Sequence, residues 1–195
     1  MKILLLIILF LPFASSSQSV KNQKEFKALQ SSGAYTIDNN GGISITRIIE
    51  VDSASKDDLF NRAQEYFTYN YGDGESVIQI NDRETGRIVG KGIYREVAST
   101  AGLYMVLIDT WHILKIEAKD GRARVTVTLT EFIEDMTAYG GDSSDDTFMI
   151  SKYYPFTEKG VNKGAYLKAF LASYGIAIKT IENLEGDLRA ASKDW

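Results

Sequence analysis

The stretch TWHILKIEAKDGRARVTVTLT, residues 110–130, decides the fold. Apolar and polar residues alternate on both sides of an Asp-Gly pair, the pattern of two half-buried strands joined by a tight hairpin. A two-residue turn at Asp120-Gly121 pairs Glu117 with Arg124, Ile116 with Val125, Leu114 with Val127 and His112 with Leu129. Ala118, Ile116, Leu114 and His112 then share one face with Ala123, Val125, Val127 and Leu129, which reads as the core side. The opposite face carries Glu117, Lys115, Ile113 and Trp111 against Arg124, Thr126, Thr128 and Thr130. A slip of one residue would exchange the two faces, so the pattern also predicts the register.

Working outward, the two arms of this hairpin read as strands from Leu103 to Lys119 and from Arg122 to Phe132. Upstream, Ile43, Ile45, Ile49 and Val51 alternate as a strand, with Arg47 and Ile48 as irregularities. Ser53 or Ser55 can cap a following helix whose first turn holds Asp57 and Asp58, favourable at the positive end of the helix dipole. Leu59, Phe60, Ala63, Tyr66 and Phe67 give that helix one apolar face, ending near Tyr71-Gly72. Ser76 to Asn81 is a second strand, and a turn over residues 82–86 leads to a third from Arg87 to Val97. Gly90 and Gly92 share a face of it and invite close approach by the helix. Met136 to Asn162 reads as an irregular connection, and Tyr166 to Leu188 as a long amphipathic helix. The expectation is an α+β fold: an antiparallel sheet of about five strands with two helices packed on one face, in a single domain over residues 42–190.

The N-terminus has the organisation of a signal peptide over residues 1–17. Lys2 precedes an apolar run from Ile3 to Phe13, and Ala14-Ser15-Ser16-Ser17 suits a signal peptidase. The run is shorter than the ~20 residues of a spanning helix. Residues 18–41 are polar and weakly periodic, and are expected to form an arm or linker. The predicted protein is therefore exported to the periplasm or beyond, soluble after cleavage, and, with no cysteine to acylate, not a lipoprotein.

The 195-residue chain is long enough to bury a core unaided. The absence of cysteine removes disulfides, thiolate nucleophiles and Cys-ligated metals. With 22 Lys and Arg against 26 Asp and Glu, the balance suits a nucleic-acid binder poorly. GRIVGKG, residues 86–92, departs from a phosphate loop in spacing, in the Gly after Lys91 and in context; no cofactor is expected. GESVI, residues 74–78, lacks the closing Gly of a nucleophile elbow. Asp142, Asp145 and Asp146 fall short of a calcium shell and read as a solvated loop, so no metal is expected.

SKDDLFNRA (residues 55–63), SVIQ (76–79) and GRIVGKG (86–92) resemble the exported Bacteroidota family called domain of unknown function 4468, over roughly Ile43 to Asp135. The resemblance implies a TATA-binding-protein-like fold and export, and brings no catalytic residues with it.

His112, the single histidine, is the one candidate for acid–base chemistry, with Glu131 or Asp109 as partner in a small hydrolase-like enzyme. A satisfied core imidazole is the simpler reading. The stronger candidate is the outward hairpin face, where Trp111, Ile113, Thr126, Thr128 and Thr130 would form an apolar strip with hydroxyl edges. Left uncovered, it suits a peptide, a glycan, a protein partner or a second copy of the chain. The expected function is thus noncatalytic binding, with the enzyme and a homodimerising module as alternatives.

Overall fold

Ser55 caps the central helix with a reciprocal capping box: its hydroxyl accepts from the Asp58 backbone N–H while the Asp58 carboxylate receives the Ser55 N–H. In this computed structural model, which describes residues 13–71, 77–101, 104–138, 141, 143–157 and 163–190, that helix is α2 (Lys56–Asn70). In chain order the other elements are α1 (Phe13–Ser32), β1 (Thr36–Ile37), β2 (Ile43–Glu50), β3 (Ile78–Asp82), β4 (Arg87–Ala101), β5 (Tyr104–Lys119), β6 (Arg122–Ala138), β7 (Ser143–Met149) and α3 (Lys163–Arg189). A 3-10 turn spans Ile150–Lys152. All pairings are antiparallel, in the order β1-β2-β6-β5-β4-β3, with β7 also on β6.

The hairpin register is as predicted from Lys119↔Arg122 to His112↔Leu129. Gly121 makes the turn at φ +76°. Beyond His112 the ladder shifts by one: Trp111 faces Glu131, and Thr130 becomes the extra residue of a bulge. The bulge coincides with a change of partner on β6, whose residues 122–129 pair with β2 and whose residues 131–137 pair with β7.

Three expectations are corrected. The sheet has seven strands rather than about five. Residues 136–162 are not wholly irregular, because β6 runs to Ala138 and returns as β7. Residues 18–41 contain most of α1, a third helix, where an arm was expected. Phe26 anchors α1, packing edge-on against Tyr154, Phe156 and Phe170, while Gln23 donates to the Phe156 carbonyl. The predicted leader lies largely outside the described residues. No helix among those described is long and apolar enough to cross a membrane.

The core lies on one side of the sheet. Ile43, Ile45, Ile49, Ile88, Leu114, Ile116, Val125, Val127 and Leu129 are buried beneath Leu59, Phe60, Ala63 and Phe67 of α2 and Phe170, Ile181, Leu184 and Leu188 of α3. The irregularities in β2 now have a reason: Arg47 is on the helix side, paired with Glu185 of α3 at 3.2 Å, and Ile48 is on the other side, 58% exposed. Gly90 and Gly92 let α2 descend onto β4. A Cβ on Gly90 would collide with the Phe67 ring, and one on Gly92 would lie 2.7 Å from Tyr71 and 2.8 Å from His112.

Gly90→Ala is therefore expected to destabilise the protein by about 1–3 kcal/mol, because Phe67 is buried and cannot yield. Gly186→Ala meets nothing within 4 Å inside α3 and is expected to gain up to ~1 kcal/mol. Urea denaturation of both variants checks the contrast; equal effects would refute the packing argument.

Candidate functional site

Alternation along β5 separates the predicted residues onto two faces. Thr110, His112 and Leu114 point under the helices; Asp109, Trp111 and Ile113 point to the opposite, open side. His112 is 1% exposed. Its ring stacks on Tyr94 at 3.9 Å, and Nε2 shares a 3.0 Å hydrogen bond with the Tyr71 hydroxyl. Nδ1 is buried without a hydrogen-bond partner. Around it, Ser173 donates to Thr110 at 2.9 Å and Tyr94 pairs with Thr180 at 3.2 Å, which makes a thin polar seam between α3 and the sheet. Burial pushes the His112 pKa down to about 4, so the ring is neutral at physiological pH.

The structure does not bring the proposed catalytic partners together. Glu131 is opposite Trp111 on the open side, 3.8 Å from Lys91. Asp109 is bound to Arg95 at 2.7 Å and accepts the backbone N–H of Glu96, a residue held at φ +49° in the β4 bulge. The physical reason is the two-residue period of a strand: His112 and either carboxylate occupy opposite faces. His112 is thus a core histidine whose partners, Tyr71 and Tyr94, are aromatic.

On the open side, Trp111 and Ile113 are half-buried by their neighbours in the sheet, and among the described residues no helix lies over them. The register places Ile80, Val89, Lys115, Thr126 and Thr46 in one row across the strands, Lys91, Ile113, Thr128 and Ser44 in the next, and Ile93, Trp111 and Glu131 in a third. Lys91 Nζ lies 4.4 Å over the Trp111 ring. Thr128 pairs with Ser44 at 2.8 Å and Thr126 with Thr46 at 3.1 Å; in each pair one hydroxyl keeps its own proton free to donate outward. Thr130, in the bulge, donates to the Trp111 carbonyl at 3.2 Å.

Next to these rows, nearer the hairpin turn, runs a row of alternating charge: Asp82, Arg87, Glu117 and Arg124, ending at Ile48. Arg124 grips Glu117 through Nε and Nη2 at 2.8 and 2.9 Å, and Lys115 adds a 3.2 Å contact. The Arg124 hydrogen bonds hold the Glu117 pKa at about 2. Sequence reading reached only the Glu117–Arg124 pair of this row, since Asp82 and Arg87 lie on two further strands. It also missed Lys91 over Trp111, which depends on the β4–β5 pairing. Ser76 and Asp142 lie outside the described residues. Asp145 and Asp146 sit on β7 facing Asp135 and Glu134, and no set of three or more metal-ligating side chains forms among the described residues.

A family model described as "Domain of unknown function (DUF4468) with TBP-like fold" matches residues 45–132. Two crystal structures share the fold. One is a TBP-like protein from Parabacteroides distasonis ATCC 8503, with TM-score 0.60 and 12% identity, covering 80% of this chain and 98% of that one. The other is a DUF4468 family protein from Bacteroides ovatus ATCC 8483, with TM-score 0.54 and 11% identity, covering 84% and 95%. At such identities the likeness is one of fold. No curated protein matches the sequence.

The neutral imidazole predicts a specific pH dependence. Unfolded, His112 takes up a proton near pH 6.5; folded, it resists to about pH 4. Its contribution is fully present above about pH 6.5 and is lost as pH falls toward 4, with a slope of up to ~1.4 kcal/mol per pH unit. Between pH 6.5 and 5, where carboxylates contribute little, unfolding free energy should decline in the native chain and stay flat in His112→Phe. A flat native profile would show the ring to be freely protonated.

Proposed function

We propose that the protein is an exported binding domain that recognises a peptide, glycan or protein partner through its open sheet face, with Trp111 at the centre. One observation carries the reading: all three described helices pack on the same layer, and the other face of the sheet presents an aromatic ring, aliphatic side chains and outward hydroxyls with no described helix over them. Tryptophan offers a large, rigid surface to sugar rings or apolar side chains, while threonine and serine hydroxyls can fix orientation. Lys91 must leave the Trp111 ring before a ligand can stack there, so binding replaces an internal cation–π contact with an external one. Export is supported by the apolar leader and the small-residue tract before Gln18.

Parallel screening of the native chain and Trp111→Ala against peptide and glycan arrays tests the site. Ligands held by the native chain should weaken at least about tenfold in the variant, while melting temperature changes little. Retention of the same ligands by Trp111→Ala would refute it. Sedimentation at several concentrations separates self-association from recognition of another molecule. N-terminal sequencing of the mature protein from the cell envelope should find cleavage near Ser17.

A further inference from the structure

At the turn end of the open face, the β3–β4 turn and the tip of the β5–β6 hairpin enclose a depression of about 470 Å³. Arg87, Lys119, Arg122 and Arg124 line it together with Asp82 and Glu117. Four cations against two carboxylates make this a locally positive place on a chain whose net charge is −4. The cations are not equivalent. Arg124 is committed to Glu117 by two hydrogen bonds, whereas Arg87, Lys119 and Arg122 form no ion pair among the described residues.

We propose that this depression is a carboxylate-recognition site that takes an acidic peptide segment, with Arg87 and Arg122 as the receiving groups. The inference rests on the open-face reading and names the chemistry of one end of its ligand. The guanidinium fork matches a carboxylate in two parallel hydrogen bonds, and the Arg124–Glu117 pair already makes that match within the site. Arg87 on β4 and Arg122 on β6 flank the β5 strand that carries Glu117, two strand spacings apart and two residues out of line, or roughly 12 Å. Carboxylates four residues apart on an extended peptide share one face and span roughly 13 Å, a similar distance. Asp82 and Glu117 would repel the continuous charge of a phosphate or sulfate polymer, whereas spaced carboxylates can alternate with them. Ile48, exposed at the end of the same row, offers an apolar contact to a side chain beyond the acid held by Arg122.

Titration of the intact protein with an acetylated, amidated Glu-Ala-Leu-Ala-Glu peptide at low ionic strength, followed by amide chemical shifts, tests the proposal. Shifts should concentrate at Arg87, Glu117 and Arg122, weaken as salt is added, and require about tenfold more peptide when Arg87→Gln and Arg122→Gln are combined. Both arginines are exposed, and circular dichroism checks that the double variant folds. No shift at these amides, or equal affinity in the double variant, would overturn it. So would tighter binding of a short DNA duplex or a heparin tetrasaccharide at the same amides, which would make the site a polyanion site. Each of these failures leaves the Trp111 reading intact, since that reading is judged by ligands lost in Trp111→Ala.

Discussion

The register of the β5–β6 hairpin is the constraint on which the rest depends. Gly121 supplies the positive φ of the turn, and the turn is then tied to its surroundings: the Asp120 carboxylate receives the Lys56 N–H of α2 at 2.7 Å, Gly121 donates to Ala54 at 2.9 Å and accepts from Val51 at 2.8 Å. The hairpin tip is thus joined to the corner where β2 passes into α2. That clasp sets which residues of β5 and β6 lie under the helix and which face out. Because the side-chain period of a strand is two, one displaced residue would bring the Thr126–Thr128 edge into the core and Val125 and Val127 into water.

The two glycines of β4 complete the asymmetry. By admitting Phe67, Tyr71 and His112 close to the backbone, Gly90 and Gly92 draw α2 firmly onto one face. The space beneath α3 is filled by the stacked His112 and Tyr94 rings and by two hydroxyl pairs rather than by aliphatic groups alone. A buried polar seam of this kind contributes little net stability, but each member left unpaired is costly, so it penalises alternative positions of α3 along the sheet. His112 belongs to that seam. The chemistry a lone histidine suggests is taken up by packing.

Features carried by local pattern were legible in the sequence. The capped helix with its acidic first turn, the alternation of residues 110–130 about Asp-Gly, and the role of Gly90 and Gly92 all follow from spacing. The features missed have weak periodicity or depend on contacts distant in the chain. Among the described side chains of α1, Phe26 is the one fully buried anchor, with Gln23 and Gln30 reaching the residue 154–156 loop through side-chain hydrogen bonds, so no apolar stripe announces a helix. β7 reads as an acidic loop because Phe148 is its single buried residue. On the site side, the separation of Trp111 from His112 was legible from alternation. The shift that places Glu131 beside Trp111 was not, since a bulge at Thr130 leaves no mark on the pattern.

The fold is named for a protein whose sheet meets DNA, yet the surface decides what this sheet can meet. Binding a phosphate backbone gains affinity by releasing counterions from many neutralised phosphates, which needs cations with no internal partners. Here Lys91 is engaged by Trp111 and Glu131, Lys115 and Arg124 by Glu117, and Arg95 by Asp109. The cations that form no ion pair among the described residues of this face are gathered at the hairpin end, and the middle of the face is apolar on the β4 side and hydroxylated on the β2 side. On the proposed reading, a surface divided in this way would select a ligand by the order of unlike groups along it rather than by repeated charge. Pairing most charges within the sheet also limits non-specific attraction of polyanions to a face left open.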